Sequence, residues 1–126
     1  MKYGIYYAYW EKEWNGDYKY YIDKISKLGF DILEISCGAF SDYYTKDQEL
    51  IDIGKYAKEK GVTLTAGYGP HFNESLSSSE PNTQKQAISF WKETLRKLKL
   101  MDIHIVGGAL YGYWPVDYSK PFDKKR

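Results

Sequence analysis

Strand-like and helix-like segments alternate along this chain of 126 residues, beginning and ending with a strand. β-branched and aromatic runs predict four strands, at residues 4–10, 30–36, 62–68 and 103–110. Parallel strands that are joined by helices bury both faces of their sheet, so the repeat must be covered by helices or close into a barrel. The alternation predicts an α/β fold with about four parallel strands and three helices.

The three segments between these strands carry helix signals. The first helix begins near Asn15 or Asp17, either of which can cap it. The first two helices end at glycines, Gly29 and Gly61, in the position that favours a left-handed residue. The third has Pro81 in its first turn, where the missing N–H does no harm.

The length suggests half of a barrel. A complete (β/α)8 barrel needs roughly 250 residues. If the repeat is a barrel, residues 1–126 are a single partial domain that stops where a fourth helix would begin. We expect its inward layer, including Ile32, Leu64 and Val106, to lack an opposite wall, and any site shared between barrel halves to be incomplete.

Composition excludes several partners. The net charge of +1 implies neither nucleic acid nor an anionic membrane as a partner. No signal peptide and no apolar run near the ~20 residues of a membrane span are seen. The single cysteine, Cys37, excludes an internal disulfide and predicts a reducing, cytoplasmic location. Aromatic residues make up 18% of the chain and suit sugar faces and protein cores alike.

Glu34 is the most informative single residue. Strand alternation places Ile32, Glu34 and Ser36 on one face and leaves the opposite face of that strand to the helices. Glu34 therefore points into the barrel, where an unpaired charge is expensive. Two interpretations stay open: a carboxylate that contacts or supports a bound substrate, and a structural ion pair or hydrogen-bonded group.

Other candidate residues follow the strands, where parallel α/β folds bind ligands. Gly67 either lets a ligand approach the backbone or serves a turn with positive φ. His71 has no second histidine or acid at metal spacing, and Cys37 has no clear histidine base, so neither predicts a catalytic site. The glycine-rich segment 107–112 lacks the spacing of a phosphate loop and leaves room for a small ligand. Trp114 provides either an aromatic wall or ordinary packing.

Four segments carry a resemblance to a known family: residues 1–10, 28–35, 64–70 and 102–118. In them the chain resembles the ketose 3-epimerases, the D-psicose (D-allulose) and D-tagatose 3-epimerase family, and above all its clostridial members. The segments span the chain in order, so the resemblance covers its whole length.

The resemblance implies a TIM barrel of the xylose-isomerase-like superfamily. It also implies a divalent metal, usually manganese or cobalt, and two glutamates that move the C3 proton between D-fructose and D-psicose through an enediolate. In that family the metal and both glutamates come from strands five to eight. No catalytic or metal-binding residue is therefore assigned to residues 1–126, and the complementary half-barrel becomes an expected partner. The intact family commonly forms dimers or tetramers.

By resemblance, this half supplies the wall of the substrate pocket. Tyr6 contacts the ketose, Trp14 closes over it, and Gly67 lines the site. Ala109 and Leu110 lie beside the substrate, and Trp114 forms part of the wall. Glu34 is the inward carboxylate of the same family segment and receives no catalytic role.

Two other functions are considered. One is a non-catalytic sugar-binding α/β module. The other is a different xylose-isomerase-like enzyme, such as a sugar isomerase or an endonuclease IV-like phosphodiesterase. A nuclease would carry metal-ligating histidines in this half and a more basic surface, and the sequence shows neither.

Overall fold

A computed structural model describes residues 1–13, 16–38, 44, 46–110, 112–114 and 118–119. Strands and helices alternate through these ranges as the sequence predicts. In chain order they are β1 Gly4–Tyr6, α1 Tyr18–Leu28, β2 Ile32–Ser36, α2 Asp47–Glu59, β3 Thr63–Tyr68, α3 Pro81–Leu100 and β4 Val106–Gly108. Two short 3-10 helices, Tyr7–Tyr9 and Phe72–Glu74, follow β1 and β3.

The four strands form one parallel sheet in the order β1-β2-β3-β4. Sequential neighbours with a helix between each pair are the arrangement of consecutive strands in a (β/α)8 barrel. The predicted four parallel strands and three helices are therefore confirmed. None of the helices within the described ranges is both long and apolar enough to cross a bilayer.

The main core lies between the sheet and the helices. Leu33 and Ile35 of β2 are fully buried there, and so is Ala66 of β3. The helices contribute apolar residues at helical spacing, including Ile22, Ile25, Leu50, Ile53 and Leu98. The predicted division of β2 into an inward face and a helix face agrees with this burial.

The expectation that Leu64 and Val106 face inward is wrong. Leu64 is the register neighbour of Leu33, and Val106 is the neighbour of Ala66, so both belong to the helix side. Side chains alternate with a period of two, and a misjudgement of one residue moves a side chain to the other face. Ile32 does lie on the opposite, inner face.

The inner face is open among the described residues. Ile105 precedes β4 and is 63% exposed, whereas Leu33, Ile35 and Ala66 of the helix side are fully buried. Ile32 is only partly buried, and Thr63 is exposed. The apolar part of this face therefore remains in contact with water.

The first and fourth strands are shorter than predicted. β1 ends at Tyr6 because the ring of Tyr7 turns into the core, with its centroid 5.3 Å from that of Tyr18 and 5.8 Å from that of Tyr21. The start of the predicted fourth strand belongs to a helix end, since the Ile103 N–H donates to the Leu98 carbonyl of α3.

All three helices end in the same way. A residue with positive φ follows each helix: Gly29 at 82°, Gly61 at 70° and Asp102 at 60°. The next N–H then donates to a carbonyl five residues back, at 3.0, 2.9 and 3.0 Å: Phe30 to Ile25, Val62 to Ala57 and Ile103 to Leu98. The glycine ends that the sequence predicts are confirmed. At the first helix start, Asp17 accepts from the Lys19 and Tyr20 N–H groups at 3.0 and 3.3 Å, which confirms one of the two predicted caps.

The open face and edges predict self-association of the purified 126-residue chain. Within the described sheet β1 and β4 each pair on one side only, and such edges add strands from other chains. We expect light scattering to give a mass well above 14.8 kDa. Ile105→Lys should lower this mass by placing a charge on the inner face. Leu28→Lys, at a residue 58% exposed on α1, is the matched control and should leave it unchanged. A monomer with a sharp thermal transition would contradict the prediction.

Candidate functional site

The C-terminal ends of the strands bring several predicted residues to the inner face. Tyr6 is the register neighbour of Glu34, which is followed two residues later by Ser36. Ser36 pairs with Gly67, and Gly67 pairs with Gly107. We call these five residues the strand-end layer. They share a face because laterally paired residues of parallel strands point the same way and alternate residues return to it.

The carboxylate of Glu34 lies directly over Gly67. A Cβ atom on Gly67 would lie 2.7 Å from Oε1 of Glu34 and 3.1 Å from its Cδ. Gly67 is part of β3 and is not among the residues with positive φ, so the turn interpretation is wrong. The glycine instead makes room for a carboxylate from the neighbouring strand.

Glu34 makes no hydrogen bond to another side chain or backbone group within the described ranges. It is partly buried, and no fully buried side-chain oxygen or nitrogen of the described residues lacks a partner, so its oxygens reach solvent. The structural ion pair that the sequence left open is not formed within these ranges. The carboxylate faces the interior of the open sheet.

Tyr6 stays a protonated phenol beside this carboxylate. Burial raises the pKa of its hydroxyl, and the negative charge of Glu34 raises it further, whereas the hydrogen bond with the Ser36 side chain lowers it. Because the net direction is upward, Tyr6 keeps its proton at neutral pH and remains able to donate a hydrogen bond.

Ser36 fixes the end of β2, and sequence reasoning missed this role. Its hydroxyl accepts from the Gly38 N–H at 3.3 Å, and its carbonyl accepts from the buried Tyr18 hydroxyl at 3.1 Å. Ser36 thereby joins β2 to α1 and holds Tyr6 in place. Only its position in the alternating strand could have suggested an inward orientation.

Cys37 is inert in this fold. It is 2% exposed on the helix side of the sheet. Burial, with a smaller contribution from Glu34, raises the pKa of its thiol to about 12. A protonated, buried thiol is a poor nucleophile.

Beyond β3 an acidic residue organises the loop. The Glu74 carboxylate accepts from the Tyr68 hydroxyl and from the His71 N–H, both at 2.7 Å. His71 itself is exposed. Sequence reasoning placed Glu74 in an irregular loop. Its spacing of three residues from His71 is the spacing of a capping acid and could have identified it.

Trp114 lies next to the end of β3. Its N–H donates to the Pro70 carbonyl at 2.6 Å, and its Cβ is 3.1 Å from where a Cβ of Gly69 would lie. The Trp114 side chain is 62% exposed, as an aromatic wall requires. Ala109 and Leu110 follow β4 directly and are partly buried. Trp14, which the resemblance places over the sugar, lies outside the described residues.

Gly108 has a backbone role. Its φ is 109°, and a Cβ there would overlap the carbonyl oxygen of Tyr68. Gly107 is different, because nothing lies within 4 Å of where its Cβ would be. Gly107 and Gly112 are therefore the open glycines of this segment, and the room for a small ligand stays a prediction.

A shallow groove of about 200 Å³ lies outside the strand-end layer, between Phe72, Tyr113 and a run of serines. Its polar groups are engaged locally: the Ser75 and Ser77 hydroxyls are 3.1 Å apart, and Ser78 accepts from the Glu80 N–H at 3.2 Å.

The described residues do not fit a metal site. Within those ranges no three histidine, cysteine, aspartate or glutamate side chains come together to hold an ion. Glu34 alone would not bind a divalent cation firmly, since such ions take several oxygen or nitrogen ligands. No chemical step through a metal is derived from these residues.

Comparison with known proteins identifies close relatives of this chain. It is 59% identical over 125 residues to a D-psicose 3-epimerase of Enterocloster bolteae and 50% identical over 125 residues to one of Ruminiclostridium cellulolyticum. Each match covers 99% of the chain and 42% of the relative. The chain thus spans about two fifths of the length of the curated relatives it matches. No family model matches it.

Solved structures give the same result. A D-psicose 3-epimerase from Clostridium cellulolyticum, crystallised with D-tagatose, superposes with a TM-score of 0.93 at 50% identity, over 99% of this chain and 43% of that one. An L-ribulose 3-epimerase shares the fold, with a TM-score of 0.78 at 16% identity, over 97% of this chain and 40% of that one. The predicted resemblance to ketose 3-epimerases and the predicted half-barrel are confirmed.

The two glycines at the strand ends predict different costs of substitution. In Gly67→Ala the new methyl meets only the end of the flexible Glu34 side chain, so we expect the free energy of unfolding to fall by less than about 1 kcal/mol. Gly108→Ala meets backbone and needs a positive φ, and should cost roughly 2 kcal/mol or more. Urea unfolding at one fixed protein concentration measures both. Equal costs would show that the carboxylate cannot move aside.

Proposed function

We propose that this chain, similar over almost its whole length to D-psicose 3-epimerases, forms one half of the barrel of a ketose 3-epimerase. The reaction interconverts D-fructose and D-psicose at C3. The identity of 59% with a curated D-psicose 3-epimerase is the observation that carries the proposal. The open inner face supports it, because that face has the form of one wall of a larger pocket.

The chain's part is to bind and orient the ketose. The Tyr6 phenol contacts the substrate from the end of β1, and Ser36 holds that phenol. Trp114 offers an exposed aromatic face, which suits the C–H face of a sugar. Gly67, Ala109 and Leu110 line the floor, and Trp14 closes over the substrate. These roles follow the resemblance and agree with the positions of the described residues among them.

The remaining chemistry is proposed to lie outside residues 1–126. A divalent cation, Mn²⁺ or Co²⁺, would take its ligands from the complementary half-barrel, and so would the two glutamates that move the C3 proton. The intact enzyme is proposed to be a homo-oligomer in the cytoplasm. A buried, unpaired cysteine supports that location.

A sugar-binding module without activity is the competing function. It needs the open sheet to hold a ketose without an opposite wall. The exposed Ile105 and the edge strands on both sides make that state unfavourable. Calorimetric titration of the isolated chain with D-fructose separates the two functions. Binding is expected if the chain is a sugar-binding module and not if it is half of a barrel.

Activity should depend on completion of the barrel. We expect no conversion of D-fructose to D-psicose by the purified chain with Mn²⁺ or Co²⁺, because the resemblance places both proton-transferring glutamates outside residues 1–126. Conversion should appear when the chain is coexpressed with the part of the Enterocloster bolteae enzyme that the match does not cover. Sugar analysis after purification from a host without epimerase measures both. Turnover by the chain alone would contradict the proposal.

Substitutions in the completed barrel should map the pocket wall. Tyr6→Phe and Trp114→Ala should each lower kcat/KM by roughly tenfold or more, because each removes a substrate contact. His71→Ala should change kcat/KM by less than about threefold, since this side chain is exposed in the loop beyond β3. A larger loss for His71→Ala than for the other two would place the site elsewhere.

A further inference from the structure

Glu34 is an inward carboxylate that the pocket wall described so far leaves without a role. A carboxylate only accepts hydrogen bonds, so it needs donors wherever it is shielded from water. Within the described ranges neither a side chain nor a backbone N–H supplies one, although the residue is partly buried. Solvent or a group that arrives on the inner face can supply that donor.

The carboxylate is held at the level where ligands bind. Glu34 is level with Tyr6, the last residue of β1. Its side chain leans toward the strand ends and reaches Gly67, which is paired with Ser36 two residues further along. Any larger residue at position 67 would meet Oε1 at 2.7 Å or less, so the glycine lets the carboxylate rise into this layer.

Beside the carboxylate the structure leaves an open place. Gly107 is the register neighbour of Gly67, and nothing lies within 4 Å of where its Cβ would be. Tyr6 stands on the other side of Glu34 and keeps its proton. A carboxylate, a protonated phenol and an open glycine floor thus lie on one face of the sheet near its strand ends.

We propose that Glu34 binds the substrate, accepting a hydrogen bond from a hydroxyl of a ketose that rests over Gly107. This inference rests on the proposed function and adds a binding residue to it. A polyol chain suits the arrangement because each hydroxyl can donate to the carboxylate and accept from the phenol at once. A metal ion suits it less, because no set of three ligating side chains surrounds Glu34 within the described ranges.

The test uses the barrel completed with the relative's half. Glu34→Gln keeps the shape and removes the charge, and Glu34→Ala removes the acceptor. Hydrogen bonds to charged groups are strong, so we expect KM for D-fructose to rise roughly ten- to a hundredfold in Glu34→Ala and less in Glu34→Gln. Glu59→Gln, the same change at an exposed residue of α2, is the matched control and should leave KM unchanged.

A substrate series identifies the contact. Analogues of D-fructose that each lack one hydroxyl away from C3 are assayed with the unmodified and the Glu34→Ala proteins. Removing the hydroxyl that Glu34 binds should raise KM of the unmodified protein about as much as Glu34→Ala raises it for D-fructose. The same analogue should not raise KM of the Glu34→Ala protein further. The thermal midpoint of every variant is measured alongside.

The outcomes separate this inference from the proposed function. If the unmodified completed barrel converts D-fructose but Glu34→Ala raises KM equally for all analogues, Glu34 is structural. The inference then fails while the proposed function stands. The same holds if Glu34→Ala lowers the thermal midpoint while KM stays unchanged, since the carboxylate then pairs with a group of the other half. If the unmodified completed barrel does not convert D-fructose, the proposed function fails and the inference fails with it.

Discussion

The alternation of side chains along four parallel strands governs this structure. One set, including Leu33, Ile35 and Ala66, packs against the helices and forms the core. The other set points to the inner face and includes Tyr6, Glu34, Ser36, Gly67 and Gly107. Stability and function are thus assigned to opposite faces of the same sheet. Because the period is two, an insertion of one residue in a strand would exchange them.

The site depends on a second constraint, which is the absence of a side chain at Gly67. The carboxylate of Glu34 can reach the strand-end layer only because the neighbouring strand leaves that place empty. Burial raises the pKa of Tyr6 and that of Cys37, and the charge of Glu34 raises both further. A glycine on one strand therefore determines the electrostatic environment of a phenol two strands away.

Sequence reasoning predicted the fold better than it predicted the contacts between side chains. Strand number, helix number, the glycine helix ends and the inward direction of Glu34 follow from local pattern, and all are confirmed. Strand bounds at β1 and β4 were wrong because tertiary packing decided them: Tyr7 turns into the core, and Ile103 closes α3. The contact of Glu34 with Gly67 joins two strands, which no local pattern records, whereas the bond of Glu74 to the His71 N–H follows a local spacing of three residues. The predicted pocket residues remain predictions.

The two ends of the strands differ in how much change in segment length they tolerate, because the three helices described above share one kind of ending. Segments that lead from a helix into the next strand are short, at residues 29–31, 60–62 and 101–105, and backbone hydrogen bonds fix their geometry. Segments that lead out of the strands are longer, at 7–17, 37–46 and 69–80. Variation in length can therefore accumulate where the strands end, while the short segments at the opposite end keep the strands in register. A new substrate preference could arise there without any change to the core.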